Sequence, residues 1–212
     1  MFKGTPETVA QRREEIVAAC EQLYRTMSFK DITLKEVSNV TSFSRPTIYN
    51  YFQTKEEIFL ALFEREYERW NADLEEILNS DEKYSEQQLA ELIAKSLERR
   101  AQLLRLLSMN NYDMEENSRE ELLASFKRAY GESLQNFRMI LEKHCSWLSG
   151  ADIQQIMYVF FPFMFGIYPY AEVTAKQKDA MTEAEVDYKY QSIYEIAYNC
   201  LAKLLSSSHA GK

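Results

Sequence analysis

The side chains best suited to chemistry lie close together in one short stretch. Residues 33–55 read TLKEVSNVTSFSRPTIYNYFQTK, and within them Arg45, Thr47, Tyr49 and Tyr51 offer a guanidinium and three hydroxyls. Leu34 to Val40 is long enough for a two-turn helix, Thr41 to Phe43 for a tight turn, and Ser44 to Phe52 for a second short helix. Val37, Val40, Phe43 and Ile48 fall where a helix-turn-helix fills the angle between its helices, and Ser38 is small where the two approach. The second helix then presents its polar side chains to DNA. Packing explanations stand beside this one: Tyr49 or Tyr51 inside a small core, Lys35 as a solvated charge, Arg45 in a salt bridge.

Other chemistry finds little material. Cys20, Cys145 and Cys200 are far apart with no C-x-x-C pair, and the histidines are His144 and His209. A disulfide framework or a zinc site is not expected from such spacing. No E-x-x-H pair, glycine-rich phosphate loop or G-x-S-x-G elbow occurs, so neither an enzyme nor a bound cofactor or metal is expected. Arg12, Arg13, Glu14 and Glu15 stand where a secretory signal needs an apolar stretch, which points to the cytoplasm. Ile156 to Ala171 carries no charge, but it is shorter than the roughly 20 residues of a spanning helix and contains Pro162 and Pro169. It reads as a kinked, buried helix, not a membrane span.

The elements that must position the stretch are helical. Five glycines and four prolines punctuate 212 residues, and β-branched residues form no alternating runs, so an all-α fold is expected. Capping-box patterns occur at Thr33/Glu36, Thr54/Glu57, Ser85/Gln88, Ser118/Glu121, Ser149/Asp152 and Thr182/Glu185. Helices are predicted over 6–27, 54–79, 85–109, 118–145, 149–171 and 182–206, besides the two short ones. Loops are predicted at 79–84, 110–117 and 173–181, and a disordered tail from Ser206. The helix from Thr54 continues from the small core and links two parts, a first domain of 1–55 and a second of 56–212. Net charge is −8 overall, yet residues 1–55 hold eight Lys or Arg against six Asp or Glu. The excess is small; it matters because the motif lies in the same segment.

The motif resembles the N-terminal signature of the TetR family of transcription regulators. Phe29 to Thr33 matches its aromatic-x-x-x-Thr turn, and Thr47-Ile48-Tyr49-Asn50-Tyr51-Phe52-Gln53-Thr54-Lys55-Glu56-Glu57-Ile58-Phe59 its closing pattern. The likeness covers about Val9 to Phe63; beyond that, length and helix spacing agree. It implies a three-helix DNA-binding domain joined by a long fourth helix to a helical ligand-binding and dimerisation domain. It also implies that Arg45, in the first turn with Ser44, pairs with guanine. Thr47 and Pro46 would touch a thymine methyl, Tyr49, Tyr51, Thr33 and Lys55 would hold phosphates, and Lys35 would reach a base or the backbone. Ser28 and Ser42 depart from the family's usual glycines, which suggests a strained or differently shaped turn.

The remainder is rich in Phe, Tyr and Met. A helix apolar on every side at 156–171 calls for more burial than one small bundle provides, namely a partner subunit and a ligand cavity. The resemblance implies a homodimer paired through the last two long helices, with Ile153, Ile156, Phe160, Ile193, Ile196, Cys200 and Leu204 at the interface. It implies an effector pocket near Met109, Tyr112, Phe126, Met157, Phe161 and Phe165. The function expected is a repressor of double-stranded operator DNA, released by a small, mostly apolar molecule. The alternative is a protein of the same fold answering to a protein partner, or acting without a small-molecule effector.

Overall fold

The computed structural model describes residues 5–109 and 111–207. All regular structure among them is helical. The chain clusters into two compact units, one of residues up to 65 together with 110–129, the other of 66–109 and 130 onward. The boundaries fall within two helices and between residues 109 and 110.

In the first unit, α1 (Pro6–Tyr24) opens with Pro6 at its start and Thr5 as its cap. α2 (Leu34–Asn39) begins at Thr33, whose Oγ1 accepts the backbone N–H groups of Lys35 and Glu36 at 3.2 and 3.4 Å. α3 (Arg45–Tyr49) is only five residues long and buries Ile48 alone. α4 (Lys55–Asn79) starts here, followed much later by α7 (Asn111–Glu116) and the first turns of α8 (Glu120–His144). Ile16, Cys20 and Tyr24 of α1 meet Val37, Ile48, Phe52 and Phe59 in the core, all essentially without exposure. The Phe59 ring takes Tyr24 and Phe29 edge-on at 5.1 and 4.7 Å. Neither Ser28 nor Ser42 has the left-handed backbone that favours glycine. The expected strain is absent, and both serines form side-chain bonds, Ser28 Oγ donating to Asp31 at 2.6 Å.

In the second unit, α11 (Ile193–Ser207) packs on α5 (Glu86–Arg99) and α9 (Gly150–Ala171), and α6 (Ala101–Leu107) packs on α9. The predicted helix over 85–109 breaks at Arg100, whose Nε and Nη2 grip Asp73 at 2.7 and 2.9 Å. The capping boxes at Ser85 and Ser149 form. The one at Thr182 does not: Thr182 lies inside α10 (Ala175–Glu183), where a loop was expected, and its hydroxyl bonds the Lys178 carbonyl. α11 is capped instead by Ser192 with Glu195. The loop expected at 110–117 is mostly α7, residue 110 and the tail from 208 lying outside the described residues. α9 is not buried all round. Ile153, Ile156 and Phe160 face this unit's own core, while Tyr158, Val159, Phe165 and Tyr170 are exposed, Tyr158 at 73 %. No single helix among the described residues is long and apolar enough to cross a membrane.

His144, the last residue of α8, is buried against the Tyr84 ring at 5.0 Å and accepts the Tyr84 N–H at 3.4 Å. Burial, then the adjacent Lys143, holds its imidazole below the usual value. A base whose pKa is lowered on folding binds its proton more readily when unfolded. Its contribution is therefore complete at neutral pH and declines as pH falls from about 6.5 toward the lowered folded value. The slope has a ceiling of about 1.4 kcal/mol per pH unit for one proton. Urea midpoints between pH 7.5 and 5.5 should fall less in His144→Gln than in the unaltered chain; equal falls would contradict this assignment.

Candidate nucleic-acid interface

The surface around α3 is assembled from α2, the turn and α3 itself. Thr33, Lys35, Ser44, Arg45 and Pro46 are exposed and Thr47 is partly so, while Ile48 anchors the helix beneath them. Ser44 does not cap α3 through its side chain; its hydroxyl and that of Thr47 share a bond of 2.9 Å. Tyr49 is 45 % exposed, and its hydroxyl accepts from Arg45 Nη2 at 3.2 Å, with the guanidinium 5.7 Å from the ring centre. Arg45 takes part in no ion pair among the described residues. Its partner is a neutral phenol, so a stronger acceptor can displace it at little cost.

Two residues sit differently from the sequence expectation. Tyr51 is buried at 5 % exposure, and its hydroxyl accepts from Arg12 Nη1 at 3.3 Å. It serves the small core, and the Arg12 side chain that donates to it is half-buried. Lys55 is half-buried: Nζ donates to the Phe29 carbonyl at 2.9 Å and lies 4.2 Å from the centre of the Phe29 ring. The lysine thus ties the α1–α2 connection to the start of α4 before it meets any phosphate.

The turn before α3 is fastened to α1. Ser42 donates its N–H and hydroxyl to Glu15 Oε1 at 3.0 and 2.7 Å, and these bonds hold the Glu15 carboxyl below its ordinary range. Sequence reasoning missed Glu15 because its partner lies 27 residues away. It also missed Glu57 and Arg119. Glu57 is 1 % exposed and takes Arg119 Nε at 2.7 Å, Arg119 Nη2 at 3.0 Å and the Gln53 N–H at 2.6 Å. Burial raises its pKa, but the Arg119 and backbone bonds outweigh that, leaving it below the usual value.

The six residues expected to share a pocket are divided between the two units, Tyr112 and Phe126 in the first and Met109, Met157, Phe161 and Phe165 in the second. Phe126 packs on Phe63 at 4.8 Å within the first unit, Tyr112 is 82 % exposed, and Phe165 and Met109 are at least partly exposed. Met157 and Phe161 line a common groove, of about 650 Å³, with Tyr130, Leu134, Gln135 and Arg138 of α8 and Gln154 and Tyr158 of α9. The interface residues divide as well. Ile153, Ile156, Phe160 and Ile193 are buried in their own unit, whereas Ile196, Cys200 and Leu204 stay partly exposed. Ile196 and Cys200 border a second groove of about 580 Å³ with Pro162, Phe163, Gly166 and Tyr170. Burial pushes the Cys20 and Cys145 thiols up to about 12, which keeps them protonated and unreactive.

A short exposed helix following α2 across a tight turn, in a chain whose described residues form only helices as regular structure, is the arrangement of a helix-turn-helix. Residues 16–62 match the domain of bacterial regulatory proteins, tetR family, and residues 64–189 match the tetracyclin repressor-like, C-terminal domain. The chain belongs to the TetR family. It is 28 % identical over 156 residues to the HTH-type transcriptional repressor NemR of Escherichia coli K12, covering 68 % of this chain and 75 % of NemR. The fold is shared with the fatty acid degradation regulator FadR of Bacillus halodurans, at 14 % identity and a TM-score of 0.61 over 96 % of this chain and 97 % of that one. It is shared also with FadR of Bacillus subtilis, solved in complex with stearoyl-CoA, at 16 % identity and a TM-score of 0.58 over 91 % and 97 % of the two chains.

Proposed function

We propose that the chain is a cytoplasmic, homodimeric repressor, without catalytic activity or cofactor, that binds double-stranded operator DNA through α3. The observation that carries this is the exposed row of Thr33, Lys35, Ser44, Arg45, Pro46 and Tyr49 above the single buried anchor Ile48. Arg45 reads guanine, Pro46 and Thr47 contact a thymine methyl, and Thr33, Tyr49 and Lys55 hold phosphates. Residues 1–55 form the reading domain, and 56–212 supply effector binding and dimerisation. The exposed apolar side of α9, with Ile196, Cys200 and Leu204 of α11, pairs with the same side of a second copy, since so large an apolar patch is unusual on a monomer.

A small, mostly apolar effector in the groove of Met157 and Phe161 favours a different spacing of the two reading helices and so empties the operator. A second reading, control by a protein partner or without a small-molecule effector, is supported by the packing of Phe126 on Phe63 and the 82 % exposure of Tyr112.

Selection from a random duplex library tests the central reading. The full chain should enrich two inverted half-sites with centres about 10 base pairs, or a multiple of one helical turn, apart. Failure to enrich any site, or enrichment of a lone half-site by a protein sedimenting as a single chain at micromolar concentration, would overturn it.

A further inference from the structure

α3 is too short to set its own direction, because a helix needs roughly 12 residues before its internal bonds sustain it. Its orientation must come from whatever holds its two ends. At the leading end, Ser42 is bonded to Glu15 of α1. At the trailing end the chain turns at once into α4, and two of the residues that hold this turn come from beyond the helix-turn-helix. Arg119 Nη2 donates to the Tyr51 carbonyl at 3.0 Å, and Thr54 donates its hydroxyl to the Asn117 carbonyl at 2.9 Å. The same guanidinium forks onto Glu57 at 2.7 and 3.0 Å, and the Arg119 N–H adds a third bond at 3.2 Å. One cation therefore bridges the end of α3 and the start of α4.

A pair of this kind is poorly explained as a device for stability. Burying a carboxylate costs several kcal/mol of desolvation, and apolar residues of the same volume often do as well. What a planar, forked donor adds is direction, which a point charge or an apolar contact lacks. Arg119 is also the residue from which α8 begins, its carbonyl accepting the N–H groups of Leu122 and Leu123, both at 3.1 Å. A shift or rotation of α8 carries the guanidinium with it, and with it the turn that ends α3.

We propose that Arg119 is a positioning residue for operator recognition: it contacts no DNA, yet it sets the angle at which α3 meets the major groove and makes that angle depend on α8. This rests on the assignment of α3 as the reading helix.

The test uses the full chain and the duplex enriched in the selection above, with a scrambled duplex as control. Affinities are measured by fluorescence anisotropy at several salt concentrations for Arg119→Ala, Arg119→Lys and Arg45→Ala. Arg119→Ala should weaken operator binding by about tenfold or more, leave the scrambled duplex within about twofold, and keep the salt slope unchanged. Arg119→Lys, which keeps the charge and loses the fork, should fall between the two. Equal loss on both duplexes with the slope reduced by about one would make Arg119 a phosphate contact and overturn the proposal. Unchanged operator affinity with a lowered melting temperature would reduce Arg119 to a structural role and also overturn it. Should Arg119→Ala not fold, Arg119→Lys decides by the same ratio of operator to scrambled affinity. If Arg45→Ala alone leaves base preference intact, it is the assignment of α3 that fails.

Discussion

Arg45→Ala is expected to cost about 1 to 3 kcal/mol of operator affinity at each half-site and to relax base preference at one position. The expectation follows from the side chain's situation. It is exposed, it sits in the first turn of α3, and its hydrogen-bond partner in the free protein is the neutral Tyr49 hydroxyl. Nothing in the fold depends on it, so circular dichroism and melting temperature should stay native. The measurement is anisotropy on the selected operator and on duplexes changed at single positions within a half-site. Native structure with an unaltered ranking of those duplexes would remove Arg45 from base reading. Lys55 is a poor comparator, because Lys55→Ala removes the tie to the Phe29 carbonyl along with any phosphate contact.

Trp70→Ala should be the most damaging single truncation in the second unit, at about 3 to 5 kcal/mol. Trp70 has no exposed surface, its ring lies 5.9 Å from that of Phe161 and 6.4 Å from that of Tyr67, and its Nε1 donates to Ser96 at 3.0 Å. Trp70→Phe separates the two contributions. The ring volume is mostly kept and the indole donor is lost, but Ser96 still donates to the Ile93 carbonyl at 2.8 Å. The loss there should be only about 1 kcal/mol. Urea unfolding followed at 222 nm, at matched protein concentration because any self-association contributes to the midpoint, checks both. Equal midpoints for the two variants would mean that cavity formation is not what the site resists.

The two short helices, the turn and the reach of α4 were legible in the sequence because each is written locally, in periodicity, a cap and a run of small polar residues. Tyr51 stayed open between a phosphate contact and the core, because the group that donates to its hydroxyl, Arg12, lies 39 residues earlier. Arg119 gave no local signal at all, its carboxylate partner being 62 residues distant. α9 shows a different limit. Its residues are apolar on every side, so the sequence established that the helix seeks cover without saying that Ile156 and Phe160 find it at home while Val159 and Tyr170 do not. The pocket expectation meets the same limit: Phe126 and Phe161 are one residue type, and only the neighbours, Phe63 for one and Met157 for the other, tell packing from lining. Thr182 and Ser192 show that a capping pattern competes with its surroundings, since the first lies within α10 and the second starts α11.

The single buried anchor of α3 bears on how such a regulator can acquire a new target. Ile48 alone commits the helix to the core, so Arg45, Pro46, Thr47 and Tyr49 can be exchanged with little effect on folding. Recognition and stability are then written in nearly separate letters of the same five-residue word. A duplicated copy of the gene could drift from one operator to another through changes at those surface positions, each folding as its parent did. The positions around Glu57 have no such latitude: what they hold is common to every sequence the helix could read.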